Sequence, residues 1–339
     1  MGHRKHSAPR HGSLAFRPRA RHGSHLARIR TWPTIKSDRP TLLGSLGFKS
    51  GSIHVITADD REKTPNFGKP VYNSSTVIAL VPPVLVGIRS YVKGEMGLRA
   101  QFDLYAKEVP KVLRRKMRIS SADQESRLKK MEGLLERSFS ITALISVSPN
   151  DVGLPQKKPF VFEVGVGGGS LRTQFEYLRE RLGKEIALNE IFEPGMYLDA
   201  VGVTKGHGFV GPVGRMGIKR KQHKSRKTVR EVGSLNAWNP TTIMYTVPRA
   251  GQMGFHQRVD RNKRLLVLGN GGSQEVSPPG GFDHFGPIRG PYMILHGSVP
   301  GPARRPVTLR YPTRPPKAKA EPPKILQIGH RTMEDDGII

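Results

Sequence analysis

Two long segments of this chain contain many lysines and arginines and no acidic residue, and this limits most strongly what they can fold into. Residues 1–37 hold nine lysines or arginines and five histidines, and residues 200–230 hold nine lysines or arginines. Both segments are interrupted by glycine or proline and bury too little apolar surface to fold alone. A third basic run, 304–324, contains six prolines, which favour extended backbone. We therefore predict that the core forms from the sequence between these runs.

The charge of the whole chain favours a polyanionic partner. Its 339 residues include 56 lysines and arginines against 27 acids, a formal charge of +29. Because glycine and proline break the basic runs, a cationic amphipathic helix on a membrane is disfavoured and nucleic acid is favoured. The chain has no cysteine, which excludes disulfides, cysteine-ligated zinc and thiol nucleophiles. Without an apolar stretch near the ~20 residues of a membrane span, we expect a cytoplasmic protein.

Most of the patterned sequence predicts short β-strands. β-branched runs bounded by turn residues predict strands at 52–57, 75–80, 84–92, 197–204, 241–247, 264–268, 292–295 and 306–311. Many short strands separated by glycine and proline are typical of a small barrel or sandwich.

The middle of the chain has a different pattern. Ser121 and Gln124 have the spacing of a capping box and predict a helix, and a second helix is expected after Ser170. Strands are expected at 140–148 and 160–166. We therefore predict an α/β insertion, about 100–189, inside a β-rich domain.

One motif raises the possibility of an enzyme. The run FEVGVGGGS, from Phe162 to Ser170, places an acid and three alternating glycines between a strand and a helix, as methyltransferases do. A packed strand-to-helix turn is favoured, but an RNA methyltransferase built on Glu163–Gly169 stays the alternative function. The glycines of 206–211 lack the lysine and hydroxyl of a phosphate-binding loop, because Pro212 and Val213 follow.

The run VTKGHGFVGPVGRMGIKRKQHKSRK, which begins at Val203, is predicted to contact nucleic acid. Glycine N–H groups approach an oxyanion without a side chain in the way, and neighbouring lysines and arginines neutralise its charge. A mobile solvated loop is the alternative, but an acid-free run repels itself unless a polyanion is present. Trp238 follows this run and is expected either to stack on an unpaired base or to lie in a core.

Seven motifs resemble one known family. They are HRKHSAPRHGSLAFRPR, LLGSLGFKSGSIHV, VGVTKGHGFVGPVGR, AWNP, VPRAGQMGFHQR, PPGGFDHFG and GSVPGPARRPVTLR, in this order from near residue 3 to near residue 312. In them the chain resembles the archaeal and eukaryotic form of the third protein of the large ribosomal subunit, with archaea as the favoured source. Trp238 matches the tryptophan at the tip of the family's finger, and Ala237 and Pro240 match its neighbours. Asn236 and Asn239 depart from the family's glycine and histidine.

The resemblance implies a fold and a domain organisation. It implies a β-rich α+β protein, with a six-stranded translation-protein-like β-barrel, an inserted α/β domain and long basic extensions. The expected parts are a basic N-terminal extension (1–37), the barrel (38–99 and 190–312) with a basic finger (about 205–262), the insertion (100–189) and a proline-rich basic tail (313–339).

The resemblance also implies a function without catalysis. We expect a structural constituent of the large ribosomal subunit that binds its rRNA and neighbouring ribosomal proteins, assists early assembly and extends the finger toward the peptidyl-transferase centre. No cofactor, metal, membrane or small-molecule substrate is expected, and an RNA-binding regulator outside the ribosome is a further alternative. The candidate rRNA-binding residues are Arg4, Lys5, Arg10, Arg17, Arg19, Arg21, Arg28, Lys205, His207, Arg215, Lys219, Arg220, Lys221, Lys224, Arg226, Lys227, Arg230, Trp238, Arg249, Gln252, His256 and Arg258.

Overall fold

The computed structural model describes residues 16–117, 124–225, 227–239, 241–272, 276–317, 321–329 and 331–332. The described chain forms two compact units. We call the unit within 1–24 and 203–257 the finger unit, and the unit within 25–202 and 258–339 the core unit. Six residues singled out above lie outside the described residues: Arg4, Lys5, Arg10, Ser121, Arg226 and Pro240.

Strands dominate the structure, which is a β-rich α+β protein as the sequence predicts. The strands are β1 (Thr41–Leu42), β2 (Gly44–Ala58), β3 (Pro70–Leu80), β4 (Val84–Gly94), β5 (Gly97–Tyr105), β6 (Ser140–Val147), β7 (Phe160–Gly167), β8 (Tyr197–Val203), β9 (Gly206–Val210), β10 (Gly251–Gly254), β11 (Gln257–Asn270), β12 (Pro291–His296), β13 (Pro306–Arg310), β14 (Ile325–Ile328) and β15 (Arg331–Thr332). The α-helices are α1 (Gln124–Leu134), α2 (Leu171–Glu180) and α3 (Pro212–Met216), and short 3-10 helices span Lys111–Arg115, Leu135–Arg137, Pro149–Val152 and Leu188–Glu190.

The larger sheet has eight strands in the order β13-β8-β11-β12-β3-β2-β14-β15. β2 also pairs with β13, with Leu46 opposite Thr308, so six of the strands are hydrogen-bonded in a closed circuit. Every residue of β13 is buried, and the inner half of β3 from Ser75 to Leu80 is buried as well. The buried stretches include polar residues as well as apolar ones, namely Ser75 and Thr76 of β3 and Thr308 and Arg310 of β13.

The smaller sheet has five strands in the order β1-β7-β6-β4-β5. β6 is its central strand and is buried at every residue from Ile141 to Val147. Helix α2 packs Phe175 and Leu178 into the main hydrophobic cluster, and Met131 of α1 is fully buried in the same cluster. The cluster also contains Leu198 and Leu309 of the larger sheet, so the two sheets of the core unit share one core.

A buried ion pair joins four segments of the core unit. Asp199 of β8 is 0 % exposed, and its Oδ2 accepts from Nη2 of Arg310 at 2.8 Å. The same carboxylate accepts from the backbone N–H groups of Asn262 and Thr313. Arg310 also donates to the carbonyl oxygen of Thr31 at 2.7 Å. Because both charges and most of their hydrogen-bonding groups are matched, this pair is compatible with burial.

The strand predictions are confirmed with one exception. The predicted runs at 52–57, 75–80, 84–92, 264–268, 292–295 and 306–311 lie in β2, β3, β4, β11, β12 and β13, the run at 197–204 in β8, and those at 140–148 and 160–166 in β6 and β7. The prediction at 241–247 is wrong. Ile243, Met244 and Tyr245 are exposed, and the run has bends at Thr242 and Val247 and a turn at 245–246. No described strand pairs with this run, so it forms no ladder.

The smaller sheet contains strands from before residue 100 as well as from the middle of the chain. β1 and β4 of this sheet precede residue 100, and β6 and β7 follow it. Trp32 packs over Gly165 of β7, where a Cβ would lie 2.6 Å from the ring. Within the described ranges, no helix is long and apolar enough to cross a membrane.

Candidate nucleic-acid interface

Positive charge is concentrated in the finger unit. Residues 1–24 and 203–257 contain sixteen lysines and arginines and one acid, Glu231, whereas the core unit contains forty against twenty-six. The core unit can therefore neutralise many of its cations internally, but the finger unit cannot.

A two-stranded antiparallel sheet forms the base of the finger. β9 pairs with β10, with Phe209 opposite Gln252 and Val210 opposite Gly251. Gly254 ends the pairing at a φ of 72°, and a Cβ there would lie 2.0 Å from the carbonyl oxygen of Lys205. Only glycine fits this position, because the backbone at Gly254 closely approaches that of Lys205.

Residues 16–24 are hydrogen-bonded to this base. The backbone N–H of His22 donates to the carbonyl oxygen of Phe255 at 2.8 Å, and the Arg21 guanidinium lies 5.9 Å from the centre of the Phe255 ring. His256 is 9 % exposed, and its Nδ1 lies 2.9 Å from the carbonyl oxygen of Ala20, a distance at which an Nδ1–H donates. His256 therefore positions residues 16–24 instead of facing solvent.

Three arginines of the finger unit gather at α3. Arg215 of α3 donates from Nε to the carbonyl oxygen of Gln252 and from Nη1 to that of Arg249, both at 3.0 Å. Arg19 donates to the carbonyl oxygen of Arg215 at 3.1 Å, and Arg17 contacts the sulfur of Met216. Burial, and then the nearby charges of Arg19 and Arg17, lower the pKa of Arg215. An anion at this guanidinium cluster would relieve that repulsion.

The glycines of this region fall into two groups. A Cβ on Gly208, Gly211 or Gly217 would meet no heavy atom within 4 Å, so the backbone there is open to a ligand. Gly214 and Gly206 instead lie against Val210 and Phe255. The structure thus separates glycines needed for packing from glycines that leave backbone accessible, a distinction that the sequence does not make.

The distal part of the finger, residues 218–250, has bends and turns but no helix or strand among its described residues. In its backbone hydrogen bonds, the N–H of Lys221 donates to the carbonyl oxygen of Val229, and the N–H of Val247 donates to the carbonyl oxygen of Met244. Trp238 is 90 % exposed, which excludes the alternative that it lies in a core.

The predicted rRNA-binding residues are brought together only in part. Among those described, the exposed ones in the finger unit are Arg21, Lys205, His207, Lys219, Arg220, Lys224, Lys227, Arg230, Trp238 and Arg249. Those partly buried in this unit are Arg17, Arg19, Arg215, Lys221 and Gln252, and His256 is buried. Arg28 and Arg258 belong to the core unit. Sequence reasoning missed Phe209, which is 80 % exposed; its position between Gly208 and Gly211 in an acid-free run was the available signal.

The glycine-rich turn after β7 is filled by protein atoms. Glu163 accepts hydrogen bonds from Nη1 of Arg89 and from the Tyr91 hydroxyl. A Cβ on Gly168 would lie 2.3 Å from the carbonyl oxygen of Arg39, and Ser170 caps α2 by accepting from the N–H of Thr173. The acid and the glycines that suggested a methyltransferase therefore serve packing. Across the described ranges, no group of three or more His, Asp or Glu residues is arranged to hold a metal ion.

Comparisons with known proteins agree with the motif resemblance. The sequence model of the ribosomal protein L3 family matches residues 1–329. The chain is 37 % identical over 336 residues to the large ribosomal subunit protein uL3 of Methanococcus vannielii, covering 98 % of this chain and 99 % of that protein. It is 38 % identical to uL3 of Methanothermobacter thermautotrophicus (96 % and 97 % covered) and 37 % identical to uL3 of Pyrobaculum aerophilum (97 % and 99 % covered).

Proposed function

The chain belongs to the ribosomal protein L3 family and is thus a structural constituent of the large ribosomal subunit and not an enzyme, and we propose that it binds large-subunit rRNA directly through its finger unit. Its partners are rRNA and other ribosomal proteins, and its place is the large subunit. The observation that carries the proposal is the charge of the finger unit, sixteen cations against Glu231 alone. Such an excess stabilises a protein only when a polyanion neutralises it.

The base of the finger supplies the fixed part of the interface. There the Arg17, Arg19 and Arg215 guanidiniums meet an rRNA phosphate, and the open backbone beside Gly208 and Gly211 allows close approach. His256 acts indirectly, because it holds residues 16–24 in place. The exposed cations among the candidate residues make the remaining phosphate contacts.

The distal segment, 218–250, takes its shape from the RNA. Its lysines and arginines release counterions from rRNA phosphates, and that release offsets the entropy lost when the segment orders. Trp238, exposed at the far part of the finger, stacks on an unpaired base near the peptidyl-transferase centre. Early binding of the protein then organises the rRNA around the finger during assembly.

The two sheets of the core unit correspond to the two folded parts that the family resemblance implies. We assign the closed circuit of β2, β3, β12, β11, β8 and β13 to the translation-protein-like barrel. Strands β4 to β7 of the smaller sheet, with α1 and α2, form the α/β insertion, and we place its start at Val84 because β4 pairs with β6 and not with β3. β1 joins this sheet from the segment before the insertion. Residues before 38 and after 312 are the basic extensions.

A charge-matched pair of variants tests the proposal. In the first, four exposed finger cations are replaced by glutamine: Lys219, Arg220, Lys224 and Arg230. The control replaces four exposed cations of the core unit: Lys111, Arg114, Arg115 and Lys116. Filter binding to in-vitro transcribed large-subunit rRNA is measured from 50 to 200 mM salt.

We expect the slope of log affinity against log salt concentration to be shallower by about 3 in the finger variant, because each phosphate contact contributes about 0.7–0.9 to the slope. The core control should keep a slope close to that of the unmodified protein. Equal slopes for the two variants, or a salt-independent affinity of the unmodified protein, would contradict binding through the finger.

A further inference from the structure

Phe209 is an exposed aromatic ring at the base of the finger that no internal contact explains. It is 80 % exposed, although β9 fixes its backbone opposite Gln252 of β10. The other phenylalanine of this base, Phe255, lies under the Arg21 guanidinium and against Gly206. Among the described residues, Phe209 has no such cover.

The surroundings of Phe209 are open on both sides along the chain. Gly208 precedes it with a φ of 69°, and Gly211 follows two residues later; a Cβ on either would meet no heavy atom within 4 Å. An exposed ring beside bare backbone leaves room for a flat group on the ring and for a sugar-phosphate chain next to it.

The charge around the ring selects the kind of partner. Residues 200–230 contain no acid. The guanidinium of Arg215 donates a hydrogen bond to the carbonyl oxygen of Gln252, which lies opposite Phe209 in the two-stranded sheet. An apolar protein surface would gain nothing from these cations. A single-stranded nucleic acid matches both features, since its bases stack on aromatic rings while its phosphates meet the neighbouring cations.

We infer that Phe209 is a stacking platform for one unpaired base of large-subunit rRNA, with the adjoining phosphates at the Arg17, Arg19 and Arg215 cluster. This inference rests on the proposed function and adds a base-contacting residue to it. Because every base has an aromatic face, the platform holds the strand without reading its sequence.

The test compares Phe209→Ala, Phe209→Leu and Phe209→Tyr in binding to in-vitro transcribed large-subunit rRNA at a fixed salt concentration. Phe139→Ala, at a 57 % exposed phenylalanine of the core unit, is the matched control. Circular dichroism checks folding, which an 80 % exposed side chain should not affect.

We expect Phe209→Ala and Phe209→Leu to bind about 5- to 150-fold more weakly, which is the range for loss of one base stack. Phe209→Tyr should bind as the unmodified protein does, and so should the Phe139→Ala control. The salt slope should not change in any of these variants, because no charge is removed.

The outcomes separate this inference from the proposed function. If the unmodified protein binds rRNA with a steep salt slope but Phe209→Ala and Phe209→Leu bind within twofold of it, the stacking platform is refuted and rRNA binding stands. If leucine substitutes fully for phenylalanine, the contact is apolar and not a stack, which also overturns the inference. If the unmodified protein itself shows no salt-dependent binding, the proposed function fails first.

Discussion

Arg310 of the core unit and Arg215 of the finger unit are both removed in part from solvent, yet they are neutralised differently. Arg310 is paired with the Asp199 carboxylate at 2.8 Å. Arg215 donates to two backbone carbonyls and has the charges of Arg17 and Arg19 nearby. A cation matched inside the protein contributes to folding, whereas an unmatched cation is available to an external anion. Under the proposed function, the core unit serves folding and the finger unit serves recognition.

The largest effect should come from removing the acid of the core pair. Asp199→Ala leaves Arg310 buried without a carboxylate and removes an acceptor from Asn262 and Thr313. We expect the free energy of unfolding to fall by about 3–5 kcal/mol in urea denaturation followed by circular dichroism. Glu136→Ala, whose pair with Arg172 is about three-quarters exposed, should cost at most about 1 kcal/mol. Similar losses in both variants would break the comparison.

The next effect should appear in the finger unit alone. Gly254→Ala forces a Cβ against the carbonyl oxygen of Lys205 at a φ of 72°, so we expect a local cost of at least about 1–3 kcal/mol. Gly208→Ala has a similar φ of 69° without the clash and serves as the control. Hydrogen exchange should show faster exchange of β9 and β10 amides in Gly254→Ala than in Gly208→Ala. Equal exchange rates would show that the close approach does not stabilise the finger.

The two tryptophans provide a smaller contrast. Trp32 packs over Gly165 in the core unit, so Trp32→Ala should lower the free energy of unfolding by about 1–3 kcal/mol. Trp238 is 90 % exposed, and Trp238→Ala should change the free energy of unfolding by less than about 0.5 kcal/mol. The rRNA affinity should show the reverse order, with the loss in Trp238→Ala. A stability loss at Trp238 would contradict its assignment to recognition.

The smallest effect concerns pH and belongs to the core unit. Burial, and then the charges of Lys263, Arg61 and Arg264, lower the pKa of His296 from 6.5. The folded state therefore favours the neutral ring, so its contribution is present above pH 6.5 and is lost as pH falls through the lowered pKa. When the pH is lowered from 7.5 to 5.5, we expect the midpoint of unfolding to fall slightly less in His296→Gln than in the unmodified protein. Burial also lowers the pKa of His25, which supplies the remaining dependence in the variant; identical profiles would refute a contribution from His296.

The sequence predicted strands where an apolar run coincided with a buried ladder, as in Pro291–His296. It failed at 241–247, whose β-branched residues look the same locally but pair with no described strand. It also gave no sign that Val84–Gly94 pairs with Ser140–Val147, because a propensity does not identify the partner strand. Local pattern therefore located most strands but not the division between the two sheets.

The candidate site was predictable to a similar degree. The acid-free run around Arg215 and its glycines identified a candidate interface, because composition alone decides where positive charge is in excess. The buried role of His256, and the difference between open Gly208 and packed Gly254, were not predictable. Each depends on a residue that the fold brings close, Ala20 for His256 and Lys205 for Gly254.

The amino-acid sequence by itself determined the segregation of charge, the strand-rich class and, through its ordered motifs, the family. Only the tertiary structure decided which cations are neutralised within the chain and which side chains remain open. The physical reason is that charge and apolar content are properties of each residue, whereas burial and pairing join distant residues, as Arg310 joins Asp199 across 111 positions of the chain.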